Sequence, residues 1–302
     1  MQAIQKTGLK DRERCDLCGG ARFQFLFSKS SEGGQEFGIY RCQDCSLVQT
    51  LPRPDDEELK KCYGEQYFSR RTERGYDNYM SAAMRKQLQK VWLMNLKDVE
   101  FLDFEDQRFR QEERRALDVG CAGGFFVEFL ESRGWQAEGI ELSESVAAAG
   151  IREMGLRIHI QDFLQFQPES PYDLITLWAS IEHLRSPSEA MKKISSMLKP
   201  GGMLILSTCR WGALSKVQGP SWRFLNVPEH LFYFSTNTME KLARRHGLQA
   251  QKRITYGSGF TAFEGMGVGY RLMKSVADRT VKLLGQGDMM VYSFKKTNVH
   301  SL

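Results

Sequence analysis

The sequence lacks any uninterrupted apolar run near the roughly 18 residues a membrane-crossing helix requires. Its opening stretch, MQAIQKTGLKDRERCDLC, carries charges but no apolar segment of the kind a secretory signal needs. Internal repeats and low-complexity tracts are missing too, and the composition excludes collagen, a disulfide mini-protein and a disordered chain. An excess of one charge sign is also lacking. Lys plus Arg number 42 against 37 Asp plus Glu, and that net +5, spread over 302 residues, does not by itself argue for a nucleic-acid partner. What remains is a soluble globular chain expected in the cytoplasm, long enough for two domains and a buried core without disulfide support.

Four of the seven cysteines form two pairs of equal spacing, Cys15-x-x-Cys18 and Cys42-x-x-Cys45, with 23 residues between Cys18 and Cys42. Gly19 and Gly20 follow the first knuckle and Ser46 the second, where each turn must tighten. The intervening ARFQFLFSKSSEGGQEFGIYR predicts a strand, a turn at Gly33-Gly34 and a strand, a hairpin that sets the knuckles side by side. Four thiolates in this pattern predict a structural zinc ribbon, closed to substrate because no coordination position stays open. A redox dithiol, or two chance pairs, would need no such hairpin. Cys62, Cys121 and Cys209 stand alone.

After Pro52 and Pro54, Asp55 and Asp56 predict the start of a short helix, followed by the aromatics Tyr63, Tyr67, Phe68, Tyr76 and Tyr79. Apolar spacing then predicts a long helix from about Asp77 to about Phe101, and DFEDQRFRQEERR reads as a charged connector, a solvated helix end or loop. From Arg115 the chain alternates. RALDVG, WQAEGIEL, LRIHIQDF, YDLITLWA and GMLILST predict strands, with helices over Phe125–Arg133, Ser145–Met154 and Ser188–Leu198 between them. Such alternation predicts an α/β fold, a sheet with helices on both faces. Two late strands, in QAQKRITY and DMMVYSFKK, flank a Gly-dotted helical insert of about residues 257–287.

The stretch LDVGCAGGFFVE carries the most chemistry: an acidic strand end at Asp118, a Gly-rich turn with Gly120 and Gly124, then a helix N-terminus. Glu141 lies 23 residues beyond Asp118, at the end of the second strand, where a carboxylate accepts from ribose hydroxyls. Asp162 and Phe163 follow the third strand, offering an acceptor and an aromatic face for adenine. With Tyr172-Asp173 opening the fourth strand and the turn LKPGG before the fifth, this ordered set resembles the class I S-adenosylmethionine-dependent methyltransferases across about Arg115 to Lys296. A nicotinamide-binding domain shares the Gly-rich turn but not LKPGG. The resemblance implies a Rossmann-like seven-stranded sheet and a cofactor held by Asp118, Gly120, Cys121, Ala122, Gly124, Glu141, Leu142, Asp162, Phe163 and Trp178. Ala122 stands where the family's middle glycine usually sits.

Because the methyl group arrives activated, such an enzyme mainly aligns an acceptor and removes its proton. Of the five histidines, His159 alternates within a strand and His246 precedes a helix-ending Gly247, which predicts structural roles, and His300 lies in the tail. His183, in Glu182-His183, either secures a loop or reacts. His230, in NVPEHLFYFS between the fifth strand and the next helix, is the stronger candidate base, with Glu229 to orient it and Tyr233 to donate to the substrate; a loop-anchoring role is its alternative. An aromatic lid of Tyr63, Tyr67 and Tyr76 is expected to close over the acceptor.

The chain as a whole resembles zinc-ribbon methyltransferases, in particular the deoxysugar C-methyltransferases and their bacterial relatives, through CxxCG, the hairpin, CxxC-SLVQTLPRP and the Glu-His-Leu-Phe-Tyr-Phe-Ser segment. Those enzymes carry a further C-terminal domain, not expected here because the reading ends with the seventh strand. The expected organisation is a zinc-ribbon module at 1–54, a helical lid and linker at 55–114 and the methyltransferase domain at 115–302. The expected activity is S-adenosylmethionine-dependent O- or C-methylation of a small-molecule or glycan-type acceptor. Some ribosomal RNA methyltransferases also join a zinc ribbon to this fold, and Arg70-Arg71, Arg244-Arg245 and Lys295-Lys296 favour that alternative, though no long basic stripe appears. A non-catalytic adaptor on the same scaffold is the third.

Overall fold

Strand-forming runs rich in Val, Ile and Leu organise two sheets. A computed structural model of the chain describes residues 13–31, 33–55, 58–59, 67–68, 78–108, 114–260 and 267–297. Cys62, Tyr63, Arg70, Arg71, Tyr76 and His300 lie outside the described residues.

The larger sheet follows the predicted alternation. Its strands are β4 (Arg115–Val119), β5 (Gln136–Glu141), β6 (Ile158–Ile160), β7 (Tyr172–Trp178), β8 (Leu198–Cys209), β10 (Leu248–Tyr256) and β11 (Met289–Lys296), in the order β10-β11-β8-β7-β4-β5-β6. Only β11 runs antiparallel to the others. The helices α3 (Phe125–Glu131), α4 (Glu144–Met154), α5 (Pro187–Met197), α6 (Ala213–Gln218) and α7 (Thr236–Arg245) fall between the strands. Among the described residues, one core joins β4, β7, β8 and β11 to α5 and α7, a second buries Phe125, Phe126 and Leu130 with Trp135, and a third gathers Cys209, Trp211 and Trp222. Chain order reverses between β4 and β7, which makes their carboxyl ends the topological switch point and the place for a ligand crevice. Ligands bind open α/β sheets at such switch points.

Three sequence-based expectations change. In the connector DFEDQRFRQEERR, expected as a solvated helix end or loop, the part up to Arg108 is helical and packed rather than solvated. That part lies in α2 (Phe101–Arg108), packed after α1 (Ala82–Asp98) in the second core, with Phe101, Phe104 and Glu105 buried. Its charges have partners: Glu105 accepts from Arg133 Nε at 2.8 Å and Trp135 Nε1 at 2.9 Å, and Arg108 Nη1 lies 2.9 Å from Asp173 Oδ1. Secondly, LKPGG joins β8 itself, which runs twelve residues. Thirdly, the third strand stops at Ile160, because Asp162 Oδ1 accepts from Leu164 N at 2.7 Å and turns the chain.

The smaller sheet holds β1 (Phe23–Ser30) and β2 (Glu36–Cys42), the predicted hairpin, together with β3 (Val48–Leu51) and β9 (Phe232–Tyr233), all antiparallel. β9 comes from the segment after β8, so the cysteine-bearing sheet is completed by a piece of the larger domain. The first knuckle docks there too. Asp16 accepts from Ser186 Oγ at 2.7 Å and Ser188 N at 2.8 Å at the start of α5, and Arg245 Nη1 donates to the Leu17 carbonyl at the end of α7. The helical insert is α8 (Val268–Leu283).

Candidate active site and cysteine cluster

The two knuckles are near copies. In each, the residue after the second cysteine takes a left-handed backbone, Gly19 at φ +76° and Ser46 at +70°. Each donates its N–H to the first cysteine's carbonyl, at 2.7 and 2.9 Å. This brings the four Sγ atoms of Cys15, Cys18, Cys42 and Cys45 within 4.8 Å of one another, with 3.4 Å from Cys15 to Cys45 and 3.6 Å from Cys18 to Cys42. A tetrahedral ion with metal–sulfur bonds of about 2.3 Å needs edges of ~3.8 Å, so the donor set fits one. Burial pushes the Cys18 thiol up to about 11, and the Cys45 side chain and burial raise Cys15 further.

At the crevice, β4 ends in a turn stitched to β5 by Gly120 N and Cys121 N donating to Ile140 O at 2.8 and 3.1 Å. Gly120 has φ +73°, and a Cβ on it would stand 2.6 Å from Ser180 Cβ. Ala122 adopts φ +49°, the left-handed backbone a glycine would take freely, at a cost of about 1 kcal/mol. Its N–H donates to Glu141 Oε2 at 2.8 Å, while Leu142 N and Ser143 N donate to Oε1, each at 2.8 Å. The Glu141 carboxylate is therefore locked across the crevice mouth; burial raises its pKa and the three N–H groups oppose the rise. Burial first, then the Glu141 charge, pushes Asp118 up to about 7, with Thr176 Oγ1 donating to it at 2.6 Å. Cys121 turns its thiol inward, into the space a Gly139 Cβ would occupy, with Sγ 3.7 Å from the Ala122 carbonyl.

Phe163 does not present the expected aromatic face. Its ring is buried in the core, under Lys193 Nζ at 5.5 Å, because the turn at Asp162 carries it inward. Asp162 is exposed, and the open apolar surface beside Glu141 is Leu142, 51% exposed. Trp178, at the end of β7, packs on Phe126 and Trp92 at 5.1 and 6.3 Å, and its Nε1 is buried without a hydrogen-bond partner. Of the expected lid, Tyr67 leads into an aromatic chain through Phe68 and Tyr79 to Phe125, the first residue of α3. Met80 beside it covers the turn, its Sδ 2.3 Å from where a Gly123 Cβ would be. The sequence signal for Tyr79 and Met80 was only their position before α1.

The histidine candidates meet. His183 and His230 lie edge to face with ring centroids 4.6 Å apart, and with Glu182 their ligand atoms fall within 4.8 Å of one another. His183 Nδ1 donates to the Glu229 carbonyl at 3.0 Å, so Glu229 contributes its backbone to the pair. The carboxylate beside both rings belongs to Glu182, which burial pushes up to about 7 and whose Oε2 has no hydrogen-bond partner. His230 Nδ1 is 3.8 Å from Cys209 Sγ and Nε2 is 3.5 Å from Asn226 Nδ2. Tyr233 is fully buried between Trp211 and Trp222, at 6.1 and 6.0 Å, so it braces the loop rather than reaching a substrate. The smaller sheet holds this loop: Thr50 Oγ1 donates to His230 O at 2.8 Å, Thr50 N to Leu231 O at 3.0 Å, and Leu231 N to Glu182 O at 2.8 Å. His159 and His246 are structural, on Glu138 at 2.7 Å and Ser188 Oγ at 3.0 Å.

Comparison with known proteins agrees with this architecture. A ubiquinone biosynthesis O-methyltransferase of Marinobacter nauticus is 35% identical over 116 residues, 35% of this chain and 49% of that protein. One of Chromobacterium violaceum is 29% identical over 165 residues, 50% of this chain and 71% of that protein. The chain thus spans about half the length of the first of these curated relatives. Among solved structures, a putative sarcosine dimethylglycine methyltransferase of Galdieria sulphuraria superposes with a TM-score of 0.52 at 15% identity, over 71% of this chain and 88% of that one, which shows a shared fold. Residues 76–252 match a family described as a methyltransferase domain, starting before α1 and so including the helices that pack behind the crevice. The chain belongs to that family, and its larger sheet is that of an S-adenosylmethionine-dependent methyltransferase domain.

Proposed function

We propose that this protein methylates a hydroxyl of a small-molecule acceptor, with His230 as the proton acceptor. S-adenosylmethionine supplies a methyl group already activated on a sulfonium, so the chain's residues bind, align and deprotonate. Glu141, fixed by three N–H groups, accepts from the ribose hydroxyls. Asp118 and the Gly120 turn receive the amino-acid end, and Asp162 and Leu142 take the adenine. His230 accepts the acceptor's proton as oxygen attacks. His183, fixed by the Glu229 carbonyl, and the carboxyl of Glu182 stand beside the ring and hold its place in the site. The observation that carries this reading is the meeting of His230, His183 and Glu182 on segments that follow β7 and β8, at the ligand-binding edge of the sheet. The relatives named for ubiquinone biosynthesis favour an O-methyl acceptor over the deoxysugar carbon suggested by the Glu-His-Leu-Phe-Tyr-Phe-Ser segment. Labelled S-adenosylmethionine offered with a ubiquinone-precursor phenol, a sugar nucleotide and ribosomal RNA tests it: label in the phenol supports the reading, and label confined to sugar carbon or RNA refutes it.

Glu182, His183 and His230 also favour a second reading, because two imidazoles and a carboxylate suit a transition ion with open positions. Turnover lost on chelation at intact thiol-bound metal, and restored by zinc or manganese, selects it over proton transfer to His230.

The four-thiolate site is assigned to zinc in a structural role, with reduced cysteines that suit the cytoplasm. Purified protein should carry one zinc per chain, and a Cys42→Ser/Cys45→Ser variant that keeps its full zinc content would refute the assignment.

A further inference from the structure

The helix α8 is built inside out. Its partly buried positions are Tyr270, Lys274, Ala277, Asp278, Val281 and Lys282, which turn toward the protein. Lys274 pairs with Asp278 and Lys282 with Asp98, and Asp278 Oδ1 accepts from Ser258 N at 3.0 Å. The opposite face, where a surface helix ordinarily carries its charges, presents Val268, Leu272, Val276 and Leu283 at 82%, 66%, 56% and 87% exposure. At 3.6 residues per turn these positions share one stripe. Beside it stand the exposed Arg271 and Arg279. Over Val268–Leu283 the charges are Arg271, Lys274, Arg279 and Lys282 against Asp278, four minus one, a net of +3. No helix among the described residues is long and apolar enough to cross a membrane.

We propose that α8 is a docking helix for an anionic lipid surface. An exposed apolar stripe flanked by arginines lies in the plane of a bilayer, with its aliphatic side chains at the acyl boundary and its guanidinium groups among lipid phosphates. Charge selects this occupant over a second copy of the chain. Arg279 falls within the stripe, between Val276 and Leu283, so two such helices packed together would bring buried arginines toward each other. Against phosphates the same arginine extends to the headgroups. The proposal is independent of which acceptor is methylated.

Co-sedimentation of the full-length protein with vesicles tests it. Vesicles of phosphatidylcholine with phosphatidylglycerol should bind the protein, and vesicles of phosphatidylcholine alone should bind it at least about tenfold more weakly. Leu272→Ser/Val276→Ser and Arg271→Glu/Arg279→Glu should each lower binding to the anionic vesicles by about tenfold or more. Thermal melting matched to wild type certifies their fold, and Gln136→Ala, exposed at the start of β5 and outside α8, should bind as wild type does. Failure to bind anionic vesicles at low salt overturns the proposal. So does undiminished binding of either double variant, or a dimer seen by light scattering that Leu272→Ser/Val276→Ser dissolves.

Discussion

Replacing Glu141 by glutamine separates the two tasks assigned to this side chain. The carboxylate accepts three backbone hydrogen bonds, two on Oε1 from Leu142 and Ser143 and one on Oε2 from Ala122. A glutamine that keeps its oxygen on Leu142 and Ser143 turns an NH₂ group toward Ala122 N–H, leaving a buried donor opposed by another donor. An unmet buried donor costs about 1–3 kcal/mol. At ~2–4 °C per kcal/mol for a domain of this size, the melting temperature without cofactor should fall by several degrees. The same NH₂ no longer accepts from the ribose. A lost hydrogen bond to a charged group costs about 1.5–3 kcal/mol, roughly tenfold or more in affinity. Calorimetry of S-adenosylmethionine binding and thermal melting read the two effects apart. An unchanged affinity in folded protein would place the ribose elsewhere, and an unchanged melting temperature would show that the carboxylate does not brace the turn.

Ala122→Gly should relieve the left-handed backbone and stabilise the protein by up to about 1 kcal/mol, raising the melting temperature; a fall would mean that the alanine conformation carries no strain. Glu182 has a folded pKa raised to about 7 by burial, so its carboxyl favours folding below its unfolded pKa of about 4.3 and loses that contribution as pH rises toward about 7. Glu182→Gln should therefore gain melting temperature relative to wild type at pH 8 but not at pH 4, and an equal shift at both values would contradict the assigned burial.

Periodicity alone made most of the larger sheet legible, because its strands are short apolar runs divided by capped helices, such as α5 with Ser186 and Pro187 at its start. The cysteine pairs and the turn after Asp118 were legible because backbone geometry restricts which residues fit there. Long-range pairing was not. Nothing local in Phe232-Tyr233 announces a strand that completes the cysteine-bearing sheet through Val48 and Gln49. The connector misled because its charges are satisfied inside the fold, Glu105 by Arg133 and Trp135, and Arg108 by Asp173. Phe163 misled because type and position suggested a ligand face, while the turn made by Asp162 sends the ring to the core. At the histidine pair, the sequence offered His183 and His230 as rivals 47 positions apart. Their contact depends on the antiparallel seat of β9 and on Leu231 N reaching the Glu182 carbonyl.

That seat links the cysteine cluster to the chemistry, since β2 carries Cys42 and β3, paired with it, holds the His230 carbonyl through Thr50. The most direct test of the account is turnover of labelled S-adenosylmethionine by His230→Ala, with His183→Ala alongside, on the acceptor that wild type methylates. A positioned histidine base contributes about 10²–10⁴-fold, so His230→Ala should lose at least about a hundredfold in kcat while S-adenosylmethionine affinity stays at the wild-type value. Full activity in His230→Ala, or a dead His183→Ala beside an active His230→Ala, would contradict the assignment.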